Sequence, residues 1–288
     1  MPSNHKTRRV FPGFCVTSHT SQTLIRNVSA THLKMAGDQK SQPLSAVILA
    51  AGMGTRLRDI TDDRPKGLLE IDGCPLVKSS LHCLIRNGIE EIIIVNGYKK
   101  EMYKQLLKDE FPNISYVTNK DYSVTGSMHS LFLAKDKIKN DFILLESDLL
   151  YEQRAISILR EKLHNTILLS AATHSGDEVY VYGQCGVVRK ISKEKLSFDC
   201  QGELVGISRI NFDLFEKMCR YYWNEVRFPS DFHYEDCISG LSQAESINYF
   251  TVDGLAWTEI DTSDQYQRAL DLVYPQIFKN NQQYQHPN

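Results

Sequence analysis

Several things are missing from this 288-residue chain, and each absence excludes something. No apolar run approaches the roughly 20 residues needed to cross a bilayer, so no membrane partner is expected. No charge excess exists either: 33 Lys and Arg against 35 Asp and Glu leave a formal net charge of −2. That gives no overall basic field for nucleic acid. No CxxC pair occurs among Cys15, Cys74, Cys83, Cys185, Cys200, Cys219 and Cys237. Scattered and odd in number, they read as reduced thiols in a reducing compartment, so a cytoplasmic protein is expected. Acid is missing from the first 37 residues, which hold Lys6, Arg8, Arg9, Arg26 and Lys34 among frequent Ser and Thr. This basic composition resembles an organellar transit peptide, the alternative location. A disordered tail, or leader upstream of a second start at Met35, has the same composition, and a strong amphipathic Arg helix is lacking. Residues 1–43 are taken as a disordered basic leader and 278–288 as an unstructured tail.

What is present is ordinary for a globular protein: 42% hydrophobic and 24% charged residues, enough chain for one large α/β domain over 44–277. Short continuous apolar runs at 46–51 (AVILAA), 92–95 (IIIV), 142–145 (FILL) and 167–170 (ILLS) suit strands buried on both faces, as in a parallel sheet. Helical spacing lies between them at 75–87, 99–108 and 127–138, with Pro75 fitting a first turn and Gly88 a stop. Alternation of this kind predicts an α/β fold, a doubly wound, mostly parallel sheet sandwiched by helices. Beyond residue 173 the strands at 178–182, 187–191 and 203–210 are shorter and more polar, which predicts a small antiparallel lobe on the substrate side. Helices are expected over 212–225 and 234–243, strands over 247–252 and 257–260, and a last helix from Ser263 to about Tyr274.

The first apolar run leads directly into Leu49, Ala50, Ala51, Gly52, Met53, Gly54, Thr55 and Arg56. Ligands of open parallel sheets bind beyond the carboxyl ends of the strands. Glycines there let the backbone approach a ligand, and successive free N–H groups can cradle phosphate oxygens. Arg56 adds a bidentate anion clamp. The dinucleotide fingerprint is excluded, because its third glycine would fall on Leu57; no Gly-Lys-Ser/Thr follows to make a Walker loop. Ten residues past Arg56, Pro65 introduces Lys66, across a polar stretch at 59–64 that reads as a loop over the ligand. Lys66 would set a compact positive charge near the α-phosphate.

Metal ligands are sought at the same sheet edge. The run 142–145 continues into Glu146, Ser147 and Asp148, and Asp148 is the best placed oxygen ligand for Mg²⁺, which favours carboxylates and substrate phosphates. Glu259 and Asp261 point the same way on a late strand, so either could complete the site; helix capping is the plainer use of Asp261. Thr125, Gly126, Ser127 and Met128 form a small-residue turn entering a helix, suited to presenting backbone groups to a base or ribose. Asp177, Glu178, Tyr180, Tyr182 and Glu203, with 234–236 further on, combine acids and aromatics as an ammonium pocket would.

LAAGMGTRLRDITDDRPKGLLEIDGCPLV resembles the N-terminal signature of the nucleoside-diphospho-sugar pyrophosphorylase-like nucleotidyltransferases, L-A-A-G-x-G-[ST]-R followed by P-K. Thr125-Gly-Ser-Met128, Leu144-Leu-Glu-Ser-Asp-Leu-Leu-Tyr151, Ser175-Gly-Asp-Glu-Val-Tyr180 and Gly202-Glu-Leu-Val-Gly-Ile207 resemble the cytidylyltransferases that activate small amino-alcohol phosphates. The likeness is greatest to the 2-aminoethylphosphonate cytidylyltransferases, with phosphocholine cytidylyltransferases as near relatives, and covers about residues 44–275. The resemblance selects Asp261 as second metal ligand beside Asp148. It implies Mg²⁺, CTP as donor, and a small aminoalkyl phosphonate or phosphate as acceptor. A homodimer is a candidate assembly. An ionised acceptor oxygen would attack the α-phosphorus in line and expel pyrophosphate, with no general base required. A sugar-1-phosphate acceptor is the further alternative.

Overall fold

In the computed structural model, residues 43–57, 63–197, 199–226 and 232–285 are described. Residues 1–42 of the basic leader expected over 1–43, and 59–62 of the loop expected over 59–64, lie outside them. Strand β1 (Ser45–Ala50) is buried along its whole length. It lies between β4 (Ile92–Asn96) and β6 (Phe142–Glu146), parallel to both, and β4 pairs parallel with β5 (Ser115–Thr118). Successive side chains of β1 alternate between two cores. Ala46, Ile48 and Ala50 face one cluster, against α1 (Leu76–Arg86), α2 (Glu101–Leu107) and α4 (Arg154–Glu161). Val47 and Leu49 face the other, against α3 (Ser127–Leu133), α5 (Phe212–Glu225) and α6 (Tyr234–Leu241). Helices on both faces match the expected sandwich.

The sheet itself is mixed, which corrects the expectation of a mostly parallel one. With β8 (Thr166–Ser170), β9 (Tyr180–Gln184), β10 (Val187–Ser192), β11 (Cys200–Ile210) and β12 (Asn248–Thr251), it has nine strands among the described residues, in the order β5-β4-β1-β6-β11-β8-β12-β10-β9. The strand expected in a separate antiparallel lobe, β11, runs antiparallel between β6 and β8 in the middle of the sheet. Its residues from Glu203 to Ile210 are all buried, so a strand with polar Glu203, Ser208 and Arg209 is nonetheless interior. A register shift between Leu204 and Ser208, with Gly206 at φ +81°, bends β11 so that its first residues pair with β9 while its last pair with β6. Strand β5 has no continuous apolar run to announce it, being four half-buried residues at the sheet edge.

Two short ladders complete the chain. Strands β2 (Glu70–Ile71) and β3 (Cys74–Pro75) form a hairpin. Strands β7 (Leu149–Tyr151) and β13 (Trp257–Glu259) pair antiparallel, away from the main sheet. Helix α7 (Ser263–Arg268) passes through a π-helical turn at Ala269–Val273 into α8 (Tyr274–Gln285). The unstructured tail expected from residue 278 is therefore helical to Gln285. Its polar side chains find partners: Gln276 donates to Asn280 at 2.6 Å, Asn280 donates to buried Glu152, and Asn281 accepts the Gln153 amide at 3.1 Å. Ile277 is buried in a third apolar cluster with Leu57, Leu76 and Ile260. No helix of the described residues is long and apolar enough to cross a membrane.

Candidate active site

Strand pairing assembles the site. Leu49 on β1 lies beside Glu146 on β6, and the Ser147 amide donates to the Leu49 carbonyl at 3.0 Å. Both chains thus leave the sheet together at the same carboxyl edge, the glycine turn on one side and Ser147-Asp148 on the other. The β7–β13 ladder then brings in the late segment: Glu259 pairs with Leu149, and the Ile260 amide donates to the Asp148 carbonyl at 3.1 Å. One carboxylate oxygen each from Glu146, Asp148 and Glu259 lies within 4.8 Å of the others. Asp261 is also in the cleft, but its carboxylate meets Lys66 and Arg56 rather than joining that triad.

The two cations expected of a phosphate grip are there, and both are paired. Lys66 contacts Asp148 at 3.2 Å and Asp261; Arg56 contacts Asp177 and Asp261. The Asp261 side chain is 4% exposed and that of Lys66 15%, whereas Arg56 is 53% exposed. The glycines differ in purpose. Gly54 sits at φ +66°, and a Cβ there would come within 2.6 Å of Lys66 Cγ, so it is needed for the lysine to cross the turn. A Cβ on Gly52 would meet nothing within 4 Å. Gly52 is thus not required by this chain's own packing; the space beside it opens into the cleft.

Electrostatics set the acids apart. Burial pushes the Glu146 carboxyl well above the usual range, with Glu259 and Asp148 adding repulsion. Burial, then Asp148, raises Glu259 to about 7. Clustered carboxylates held against water and each other are the environment that a divalent cation relieves, and an all-oxygen donor set suits a hard ion.

One half of the cleft is lined by Leu49, Ala51, Gly52, Gly54, Thr125 and Ser127, which the sequence singled out, and also by Tyr122, Ser130 and His233, which it did not. Buried Asn119 donates to Thr125 Oγ1 and Ser130 Oγ, both at 3.0 Å, and so braces the turn. Gly126 is N-cap of α3 and packs on the Phe232 backbone, 2.2 Å from where a Cβ would stand. Met128 is fully buried in the core, because the first turn of α3 faces the sheet; its side chain does not line the cleft. Ala50 likewise points into a core, and Met53 and Thr55 lie outside the cleft lining.

The other half is lined by Arg56, Asp177, Lys193, Tyr234, Glu235 and Asp261, together with Lys66, Glu146, Glu259 and His233 shared with the first. Of the acidic and aromatic residues expected here, Asp177 alone among Asp177, Glu178, Tyr180 and Glu203 lines it. Glu178 accepts from Tyr180, which pairs with Glu203 across the β9–β11 ladder. Buried Glu203 accepts the Thr173 amide at 2.5 Å and its hydroxyl at 3.0 Å, so its charge serves the fold, and burial raises its carboxyl above the usual range. Tyr182 is a core residue whose hydroxyl accepts the Leu196 amide at 2.8 Å. Glu235 is the acid that faces this cavity instead. Its Oε2 is buried with no hydrogen-bond partner among the described residues, and burial raises its carboxyl.

The sequence profile described as Nucleotidyl transferase matches residues 45–184. The chain is 32% identical over 144 residues to a UTP–glucose-1-phosphate uridylyltransferase of Haloferax volcanii, covering 49% of this chain and 59% of that one. It is 28% identical to a 2-aminoethylphosphonate cytidylyltransferase of Lancefieldella rimae, covering 53% of this chain and 62% of that one. To a choline-phosphate cytidylyltransferase of Haemophilus influenzae it is 27% identical, covering 81% of this chain and 98% of that one. The chain thus spans less than two thirds of the length of the first two. Among solved structures, the fold resembles an inositol-1-phosphate CTP transferase from T. maritima, with a TM-score of 0.71 at 23% identity over 84% of this chain and 97% of that one. A CTP:phosphocholine cytidylyltransferase from Streptococcus pneumoniae gives 0.69 at 23% identity over 80% and 99%. The chain is thus similar to nucleotidyltransferases, cytidylyltransferases among them.

Proposed function

We propose that this protein transfers CMP from CTP to a small aminoalkyl phosphonate or phosphate, 2-aminoethylphosphonate foremost, releasing pyrophosphate. One observation carries the reading: Lys66 bridges Asp148 and Asp261 at the seam between a glycine-lined half-cleft and an acidic half-cleft. A triphosphate along the glycine turn would draw Arg56 and Lys66 onto its oxygens, leaving Asp177 and Asp261 their charge. The freed Asp177 and Glu235 would then face the acceptor's ammonium, while its ionised oxygen attacks the α-phosphorus. The O–P bond to the acceptor forms as the α–β bridging O–P bond breaks, and pyrophosphate leaves with that electron pair. Glu146, Asp148 and Glu259, with Asp261 next to them, would hold Mg²⁺, whose contribution when bound is to offset charge on the triphosphate. The relative that this chain matches almost end to end favours phosphocholine as second acceptor. Pyrophosphate release with each nucleoside triphosphate and a panel of acceptors tests the proposal. Release should be highest with CTP and 2-aminoethylphosphonate, above phosphocholine and any sugar phosphate; no release with any pair would end the transferase reading.

Gly52→Ala is expected to leave the melting temperature unchanged within a degree or so, yet raise KM for CTP about tenfold, because the added methyl enters only ligand space. Gly54→Ala should lower the melting temperature and also raise KM for CTP, since its φ is positive and Lys66 occupies the space. Equal CTP affinity in Gly52→Ala and wild type would remove the turn from the nucleotide site.

Metal binding should also depend on pH. Glu259 titrates at about 7 in the folded protein against 4.5 for an ordinary glutamate. The folded chain holds a proton the unfolded chain has lost, so the cost of ionising Glu259 is absent below about 4.5 and complete above about 7. Stability without metal falls across that window as pH rises. Mg²⁺ competes with the same proton, so its stabilisation of the folded state should grow from pH 6 to pH 8, up to about tenfold in affinity per unit below 7. Melting curves with and without Mg²⁺ measure this; a pH-independent gain would place the ion elsewhere.

A further inference from the structure

Four residues belong to both halves of the cleft: Lys66, Glu146, Glu259 and His233. The first three are charges of the kinds phosphoryl transfer uses, but His233 has no role yet. Its Nδ1 lies 3.2 Å from Ser127 Oγ and 3.4 Å from the Ser127 amide. The same Ser127 oxygen accepts the Tyr234 amide at 3.1 Å. A hydroxyl has one proton to give. The Ser127 amide donates to Nδ1, so Nδ1 is the acceptor and the Ser127 hydroxyl gives its proton there while its oxygen accepts from Tyr234. Two donors therefore converge on Nδ1, which leaves it the acceptor and puts the ring proton on Nε2. The backbone cannot easily shift this arrangement: the His233 amide donates to Asp236 Oδ2 at 2.9 Å, and the Phe232 carbonyl is pressed against Gly126.

We infer that His233 is a catalytic residue of the proposed transfer, giving a neutral, fixed hydrogen bond from Nε2–H to the phosphoryl group as it passes from the nucleotide half of the cleft to the acceptor half, with Ser127 as the positioning residue that sets its tautomer. The inference rests on the transferase reading. No proton moves from His233 in this step; it donates a hydrogen bond to an oxygen whose charge grows as the α-phosphorus changes partners. A donor without charge at this seam adds to Lys66 without repelling the acceptor's ammonium. It also ties the nucleotide turn, through Ser127, to the segment that carries Tyr234 and Glu235.

The tautomer is tested without turnover. In long-range ¹H–¹⁵N spectra of the full ¹⁵N-labelled chain at pH 8, with His233 assigned by its disappearance in His233→Gln, Nε2 should be protonated and Nδ1 not. An Nδ1–H tautomer overturns the inference. Ser127→Ala keeps the backbone donor and removes the hydroxyl, and should admit some of the Nδ1–H tautomer; an unchanged single tautomer would remove the Ser127 hydroxyl from the device. In steady-state assays with CTP and 2-aminoethylphosphonate or phosphocholine, His233→Ala should lower kcat about 10²-fold with KM for CTP within about threefold. His233→Gln, which keeps an N–H near the Nε2 position, should recover part of that loss. Wild-type kcat in His233→Ala, or equal losses in both variants, overturns the catalytic role. If the wild type itself turns over no acceptor, the transferase reading fails and the role toward phosphorus falls with it, while the tautomer result still stands or falls separately.

Discussion

Lys66→Ala should lower kcat/KM for CTP-dependent transfer by about 10³-fold, the loss expected when a charge aimed at a developing anion is removed. Lys66→Arg should recover little, because the guanidinium is too broad for a space bounded by the Gly54 backbone, Asp148 and Asp261. Stability should fall too. Without the ammonium, Asp148 loses its ion-pair partner and Asp261 keeps only Arg56, and breaking a buried pair costs about 3–5 kcal/mol at full burial. The 15% exposure of Lys66 and Asp148 places this case lower, at about 2 kcal/mol. The two effects separate on titration with Mg²⁺: added ion should restore much of the melting temperature and little of the turnover. Steady-state kinetics and thermal melts measure both. Turnover within fivefold of wild type would show that Lys66 serves the fold alone.

Glu235→Gln should raise KM for an aminoalkyl acceptor about 10²-fold and leave KM for CTP nearly unchanged. The buried Oε2 of Glu235 finds no hydrogen bond within the described residues, and its charge is costly because burial disfavours it. A buried carboxylate oxygen without a hydrogen bond gains from an ammonium part of what it lost on leaving water. The amide keeps the shape and drops the charge, so the variant should be as stable as wild type or up to about 1 kcal/mol more stable. Weaker acceptor binding with equal or greater stability is a pattern that a structural role does not produce. Ethylphosphonate, which lacks the amine, supplies the control: its use should be insensitive to the substitution. Equal loss with both acceptors would move Glu235 out of amine recognition.

Local features of the sequence foretold much of this arrangement, and long-range pairing supplied the rest. The apolar runs of β1, β4, β6 and β8 are short, continuous and buried on both faces, so composition alone marks them. The glycine turn and Lys66 are legible because strand, glycines and cations lie within 18 residues of one another, from Leu49 to Lys66. By contrast, β11 is long, carries Glu203, Ser208 and Arg209, and gives no local sign that it belongs in the middle of the sheet. Glu203 looked like a ligand because sequence cannot reveal that Thr173 satisfies it. Glu235 was one of three candidates at 234–236, and His233 became visible only when α6 was seen packed against the turn at Gly126 and Ser127. Glu259 was one of two late acids on one strand face, and the β7–β13 register is what sets it next to Asp148.

That register has a consequence for how the molecule comes into being. The segment matched by the family profile, residues 45–184, contains the glycine turn, Lys66, Glu146 and Asp148, yet neither Glu259 nor β11. During synthesis β6 therefore waits with an unpaired edge until some 60 further residues have emerged and β11 can close it. Pairing across such a separation is slow to form and leaves the nascent half prone to edge-to-edge association. The carboxylate triad is completed later still, when β13 docks on β7. A fragment ending at 184 should aggregate, and divalent-ion binding should be among the last properties the refolding chain acquires.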